Sequence, residues 1–259
     1  MIWTPFAEEN PLITCEACVE GIPGALAAQS GGAHRIELCA GLVEGCTTPS
    51  GGTVSMVLRK LAIPTVVLVR PRGGDFLYST EEMEGLLRDV EAIRKSGAFG
   101  IATGMLTADG RVDTEAMGEL MKVAGPLSVT FHRAFDMVRD PFEALSTLVD
   151  LGVHRILTSG QDRTVLEGMS LIGGLVKAAG SRISIMPGGG IRAGNVRRIV
   201  EETGVREVHF TGFKSSESLM VHRNTRPLMG SDRVPGEYER LGTDAERVRG
   251  VVQAVRSIP

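Results

Sequence analysis

Short apolar runs alternate with amphipathic stretches along the whole chain. The runs are rich in β-branched and aliphatic residues, as buried strands are, and they span residues 12–19, 35–39, 65–69, 100–103, 128–131, 155–157, 183–186 and 207–210. Between them, apolar residues at three- and four-residue spacing predict helices, for example over residues 80–96, 113–124, 141–151 and 192–203. This alternation predicts eight parallel strands joined by right-handed helical crossovers.

The junctions between these elements repeat as well. "GAHRIEL" at 32–38, "GVHRILT" at 152–158 and "GVREVHF" at 204–210 each combine a helix-ending glycine, a small apolar residue, basic residues and a strand. Helix starts carry their own signals, because Ser79 and Glu82 have the spacing of a capping box and Asp140 precedes a proline. Each repeat therefore corresponds to one turn from a helix into a strand.

Eight βα units in 259 residues match the size of a (β/α)8 TIM-like barrel of the α/β class. A doubly wound sheet would usually need fewer strands or a second domain. We therefore predict a single domain over residues 1–259. It has a short N-terminal extension at 1–11, a long excursion after strand eight at 214–243, and a closing helix at about 244–256.

Composition and charge limit the classes of partner that the protein can bind. The net charge is −3, and no run of lysine and arginine marks a nucleic-acid or membrane surface. The partner is expected to be a small molecule, an ion or another protein. The first residues, "MIWTPFAEENP", lack the pattern of a signal peptide and no long apolar segment follows, so a cytoplasmic protein is predicted. Its four cysteines are then expected to be free thiols.

In such a barrel the functional site lies at the C-terminal ends of the strands, the end called the mouth below. His34 and His154 precede strands and are interpreted as structural, whereas His132 and His209 lie at or near strand exits. His132 is accordingly a candidate acid-base group.

Strand parity predicts which side chains of the first two strands lie on the same side. Cys15 and Cys18 point to opposite sides of one strand, so their C-x-x-C spacing does not indicate a chelate. Glu16 and Cys18 share a side, and Glu37 and Cys39 repeat the arrangement on the next strand. Two thiols so placed can hold Cu(I), although free cysteine is also a common core residue. The two carboxylates are candidates for acid-base work or for a hard cation.

The inward carboxylates need partners, because an unpaired buried charge is costly. The candidates are Arg70, Arg72 and Arg133, which follow strands three and five. These arginines, which suit carboxylates and phosphates, are also candidates for binding a small anionic or phosphorylated substrate. The other candidates for anion binding lie on the same rim: Ser159 in "LTSG", His209 in "HFTG", and Gly188, Gly189 and Gly190 in "MPGGGI", a loop interpreted as opening a helix.

Several blocks, in order, resemble the CutC copper homeostasis protein family: "RIELCAGLVEGCTTPSGG", "VRPRGGDFLYS", "VTFHRAFDM", "RILTSGQD" and "MPGGGI". The resemblance, from about residue 12 to 224, implies a TIM-like barrel, a cytoplasmic location, a homodimer, and copper homeostasis through Cu(I) bound at Cys18 and Cys39. Cys46 departs from a more usual glycine-rich version of its block.

Two other functions remain open beside copper binding. One is an enzyme in which Glu16 or Glu37 and His132 move protons on a small anion held by Arg70 and the glycine turn. The other is a scaffold that acts through its surface.

Overall fold

A computed structural model describes residues 13–227 and 236–258. The predicted N-terminal extension lies outside the described residues, as does the part of the predicted excursion between 228 and 235. Apart from residue 12, the first residue of the predicted strand 12–19, the helices and strands predicted from the pattern fall within the described part.

The structure is a nearly closed barrel of eight parallel strands. They are β1 Thr14–Glu20, β2 Arg35–Cys39, β3 Thr65–Leu68, β4 Gly100–Thr103, β5 Ser128–Phe131, β6 Arg155–Thr158, β7 Ser184–Pro187 and β8 Glu207–Thr211. Hydrogen bonds join them in the order β7-β6-β5-β4-β3-β2-β1-β8. A single bridge between Gly188 and His209 links β7 to β8 and completes the ring. The predicted (β/α)8 architecture is confirmed.

Within the described residues, eight α-helices accompany the strands: α1 Gly21–Ser30, α2 Gly51–Lys60, α3 Thr80–Ser96, α4 Thr114–Ala124, α5 Pro141–Asp150, α6 Val165–Ala179, α7 Val196–Thr203 and α8 Ala245–Arg256. The predicted capping box of α3 is present, with the Ser79 side chain accepting from the Glu82 backbone and the Glu82 side chain accepting in return. Asp140 caps α5 in the same way, by accepting from two backbone N–H groups of the first turn.

The seventh βα unit differs from the prediction at one point. Helix α7 begins at Val196 and not at Arg192. The amide of Asn195 explains the delay, because its oxygen accepts the backbone N–H of Arg192 and its nitrogen donates to the carbonyl of Gly190. These local bonds close a turn that competes with helical hydrogen bonding.

The excursion after β8 contains a β-hairpin, made of β9 Phe213–Glu217 paired antiparallel with β10 Glu239–Thr243. Helix α8 follows it, as predicted, and contacts both α7 and α1, so it closes the helical ring. Among the helices of the described residues, none has the length and apolar character needed to cross a membrane.

Strand parity separates two apolar layers. Cys15, Ala17 and Val19 belong to the main core between the barrel and its helices. Cys18 belongs to a smaller cluster inside the barrel, where it packs with Cys39, Val66, Leu68 and Ala102. The prediction that Cys15 and Cys18 lie on opposite sides of the strand is confirmed.

Near the N-terminal ends of the strands, an ion network crosses the barrel interior. Arg35 pairs with Glu16, and its Nη2 lies 2.5 Å from Oε2 of Glu207. Nε of Arg155 lies 2.6 Å from the same oxygen. The network joins β1, β2, β6 and β8, and it places Glu16 directly below the mouth.

Candidate functional site

A cavity of about 260 Å³ opens at the mouth of the barrel. Nine candidate site residues from the sequence analysis line it: Cys18, Glu37, Arg70, His132, Arg133, Gly188, Gly189, Gly190 and His209. Glu16, Cys39 and Ser159 are buried next to it, with at most 1% of each exposed. Arg72 lies away from the cavity. The barrel therefore gathers residues that are almost 200 positions apart in the chain.

Three cysteine sulfurs lie together on one wall of this cavity. The Sγ atoms of Cys18 and Cys39 are 3.8 Å apart, and the thiol of Cys39 donates to Sγ of Cys46 at 2.9 Å. All three sulfurs fall within 4.8 Å of one another, and all three cysteines are free. Cys18 and Cys39 are buried, whereas Cys46 is half-buried and borders the cavity.

The turn after β2 brings Cys46 to the other two cysteines. A short 3-10 helix, Leu42–Glu44, and a backbone bridge between Ala40 and Thr47 fold the chain back over the strand end. Arg70 holds this turn in place, because its Nη1 donates to the carbonyls of Gly45 at 2.8 Å and Cys46 at 3.1 Å.

The three thiols have different proton affinities. Hydrogen bonds from Cys18 and Cys39, helped by the charges of His209 and Arg70, lower the pKa of Cys46 to about 4. The pKa of Cys18 is raised by its hydrogen bonds to Cys39 and Cys46 and by burial. The cluster therefore holds a thiolate on its most accessible sulfur, and the thiolate is the form that binds metals.

His209 lies between the two predicted carboxylates inside the barrel. Its Nδ1 is 2.8 Å from Oε1 of Glu16, and its Nε2 is 3.8 Å from Oε2 of Glu37. Burial raises the pKa of Glu16, but the charge of Arg35 and the bond to His209 outweigh it and leave the pKa below its usual range. Burial dominates at Glu37, whose pKa rises to about 7. Cys18, Glu37 and His209 form a second group with metal-ligating spacing.

His132 is, like His209, a buried histidine of the mouth. It follows β5 directly, and its Nδ1 accepts the backbone N–H of Ala134 at 3.2 Å. Burial and the nearby charge of Arg70 lower the pKa of His132 to about 3, so the ring is neutral and its proton is on Nε2. Within the described part of the chain, this Nε2 has no hydrogen-bond partner, and the same holds for Oε1 of Glu37.

The three arginines predicted to neutralise Glu16 and Glu37 have other partners, so that prediction is wrong. Arg70 binds backbone carbonyls, including that of Gly74 at 2.7 Å. Arg72 pairs with Glu82 at 2.6 Å and with Asp75 at 3.1 Å. Arg133 pairs with Asp136 at 2.7 Å and donates to Ser159 at 2.8 Å. These partners are carboxylates, carbonyls and a hydroxyl of the loops at the mouth and of the first turn of α3, and within the described residues only Nε of Arg70, among its guanidinium nitrogens, is buried without a hydrogen-bond partner.

The glycine turn after β7 is only partly as predicted. Gly188, Gly189 and Gly190 line the cavity, and the last two have φ angles of 126° and 81°, which favour glycine. The turn does not open a helix, however, because five residues separate Gly190 from the start of α7 at Val196. Its N–H groups therefore do not lie at a helix N-terminus, and that part of the interpretation is wrong.

Sequence reasoning missed Arg35, Arg155 and Glu207, although a signal for the first was present. Arg35 has the same strand parity as Glu37 and Cys39, so the rule that turned those two inward applies to it as well. The repeated junctions predict turns from a helix into a strand, and that prediction gives no partner for their basic residues. His34 and His154 do have the structural role expected, since each accepts a backbone N–H from a neighbouring strand.

Comparison with known proteins decides the family. The CutC family model matches residues 13–214. The chain belongs to the CutC family. A CutC family protein of Mesorhizobium japonicum is 47% identical over 98% of both chains. The human copper homeostasis protein cutC homolog is 46% identical over 94% of this chain and 89% of its own.

Solved structures agree with this assignment. The crystal structure of a putative copper homeostasis protein CutC from Streptococcus agalactiae superposes with a TM-score of 0.74. That protein is 34% identical and covers 76% of this chain and 98% of its own. Phosphoribosyl anthranilate isomerase from Thermotoga maritima, 12% identical, superposes with a TM-score of 0.54 over 95% of this chain and 100% of its own. This second likeness extends to the barrel fold alone.

Proposed function

We propose that this CutC family member binds Cu(I) as its cargo, through the thiolates of Cys18 and Cys39 at the barrel mouth. The observation that carries the proposal is the 3.8 Å separation of their sulfurs on neighbouring strands. Soft thiolate ligands select Cu(I) over hard cations. Val66, Leu68 and Ala102 pack against the pair and keep water from the sulfurs. The names of the human and streptococcal relatives, copper homeostasis proteins, point to the same ion.

An anaerobic Cu(I) titration against a competing chelator tests this proposal. Wild type is expected to bind tightly, and Cys18→Ser/Cys39→Ser is expected to lose that binding because a hydroxyl is a poor ligand for a soft ion. Cys15→Ser is the matched control, since Cys15 is equally buried but lies on the outer side of β1. Equal affinity in wild type and the double variant would contradict the proposal.

A second function is favoured by two unpartnered buried atoms on the same cavity, Nε2 of His132 and Oε1 of Glu37. We propose that the cavity also binds a small anionic molecule, with Arg133 and the glycine turn holding the anion. Glu37 and His132 would then move protons, and Glu16 would act through His209. Such pairs with shifted pKa values cluster at enzyme sites.

A thermal-shift screen of small carboxylates and phosphate esters tests the second function. A ligand that stabilises wild type should lose its effect in Arg133→Ala, whereas Arg72→Ala serves as the control because Arg72 lies outside the cavity. If no small anion shifts the melting temperature of wild type, or both variants respond alike, this second function fails.

We further propose that the chain is a single domain, that it is cytoplasmic and that it forms a homodimer. One continuous eight-stranded sheet, with a ring of helices closed by α8, supports the single domain, and four free cysteines suit a reducing compartment. Leu219 and Val221 support the dimer, since they are 97% and 99% exposed after β9. Sedimentation of wild type and of Leu219→Lys/Val221→Lys tests it, because the charged variant should be monomeric.

A further inference from the structure

We propose that Cys46 is a third thiolate ligand, so that the mouth of this protein holds Cu(I) in a three-coordinate sulfur site. This inference rests on the proposed copper function and specifies its coordination. Cys46 Sγ lies 2.9 Å from Cys39 Sγ, and the three sulfurs lie within 4.8 Å of one another.

The spacing of the two buried sulfurs favours three ligands over two. With a metal–sulfur bond of about 2.3 Å, as in zinc thiolates, a linear two-coordinate ion needs sulfurs about 4.6 Å apart, whereas a trigonal one needs about 4.0 Å. Cys18 and Cys39 are 3.8 Å apart. They therefore match two corners of a triangle, and Cys46 Sγ, which lies 2.9 Å from Cys39 Sγ, reaches the third corner by moving about 1 Å away from Cys39.

The backbone at Cys46 is the second, independent observation. Its φ of 73° is in the left-handed region, which a side chain adopts only at a cost and glycine adopts freely. Within the described residues, Gln161 is the one other non-glycine residue with a positive φ. Such strain persists where surrounding contacts impose it and is concentrated at functional sites. The bonds from Arg70 to the carbonyls of Gly45 and Cys46 impose it here.

The exposure of the three sulfurs agrees with an entry role for Cys46. Cys18 and Cys39 are 4% and 1% exposed, while Cys46 is half-buried and borders the cavity. An ion that enters through the mouth meets Cys46 before it reaches Cys39. The third ligand thus also connects the buried pair to solvent.

The experiment compares wild type, Cys46→Gly and Cys46→Ser, each reduced and loaded with one equivalent of Cu(I) without oxygen. X-ray absorption spectroscopy counts the sulfur ligands, and chelator competition gives the affinity. Wild type is expected to show three sulfurs and both variants two. The affinity should fall by at least about 10–100-fold, the loss typical of removing even an outer-shell partner. Cys46→Gly should melt no lower than wild type, because glycine relieves the strained φ.

The outcomes separate this inference from the proposed function. Two sulfurs in wild type, or unchanged affinity in both variants, overturns the role of Cys46 while Cu(I) binding by Cys18 and Cys39 stands. Absence of tight binding in wild type overturns both. Three sulfurs in wild type that fall to two in Cys46→Gly, with the melting temperature kept, supports the three-thiolate site.

Discussion

At the scale of single residues, the surroundings of His132 predict an effect on the stability of the protein in acid. The ring is 5% exposed and packs at 5.0 Å, centroid to centroid, against Phe76. Arg70, near the same ring, opposes a second positive charge. His132 is therefore neutral in the folded protein at pH values where an unfolded chain would protonate it.

We expect the free energy of unfolding to fall as the pH is lowered from about 6.5 towards 3. Over this range the unfolded chain binds a proton at His132 and the folded protein does not, so acid favours unfolding by about 1.4 kcal/mol for each pH unit. In His132→Asn this contribution should be absent. Asparagine can still accept the backbone N–H that His132 accepts.

Urea unfolding of wild type and His132→Asn at pH 7, 6 and 5 measures the difference. His222→Asn is the control, because His222 is exposed on the segment after β9. Curves of stability against pH that run parallel for wild type and His132→Asn would rule out a buried neutral histidine.

At the scale of elements, the glycines inside helices differ in their surroundings, because some face open space and one allows close packing. Gly85 in α3 and Gly118 in α4 face open space. Gly168 in α6 lies against the loop after β6, where an added Cβ would meet the carbonyl of Ser159 and the backbone of Gly160. In that loop, the hydroxyl of Ser159 accepts a hydrogen bond from Arg133 and donates one to Asp136. The close approach of α6 to the loop therefore positions one edge of the mouth.

Gly85→Ala is expected to raise the free energy of unfolding by about 0.5–1 kcal/mol, because alanine restricts the unfolded chain and favours the helix. Gly168→Ala should lower it by about 1–3 kcal/mol through overpacking. Denaturant melts of both variants provide the test. The packing role of Gly168 would be refuted by equal stability of the two alanine variants.

At the scale of the whole molecule, the ion network links the strands on either side of the weakest seam of the barrel, the junction between β7 and β8. β7 and β8 share a single bridge, whereas β8 is joined to β1 along five residue pairs. Arg35 on β2 reaches Glu16 on β1 and Glu207 on β8, and Arg155 on β6 reaches Glu207 from the far side of the seam. Charges from strands that are distant in the sheet thus meet across the barrel.

Arg35→Met is expected to lower the free energy of unfolding by about 3–5 kcal/mol, because it leaves two buried or half-buried carboxylates with less compensation. Arg88→Met should leave stability unchanged, since Arg88 forms an exposed helical pair with Glu84. Chemical denaturation compares the two. A mild effect of Arg35→Met would mean that Arg155 and His209 compensate the carboxylates without it.

The local pattern of the chain was enough to predict the barrel. Strand and helix periods, the cap at Ser79 and the repeated junctions depend on neighbours in sequence, and the structure has these elements at nearly the predicted bounds. Parity also separated Cys15 and Cys18 onto opposite sides of β1, because alternation of side chains is a property of any strand.

The partners of the site residues depended on the tertiary structure. Arg35, Glu207 and Arg155 meet across the barrel, at distances that no local spacing encodes. Arg70 hydrogen-bonds to backbone carbonyls and Arg133 pairs with Asp136, because a guanidinium binds the nearest acceptors that the folded loops present. Cys46 joined the thiol pair because the turn after β2 folds back over the strand end.

The sequence by itself thus determined the order of elements, the barrel and which residues of a strand share a side, since these follow from short-range periodicity. Only the tertiary structure decided which charges pair and which sulfurs cluster. The acceptor that a long side chain binds depends on distance and burial, and these are fixed only when the barrel closes.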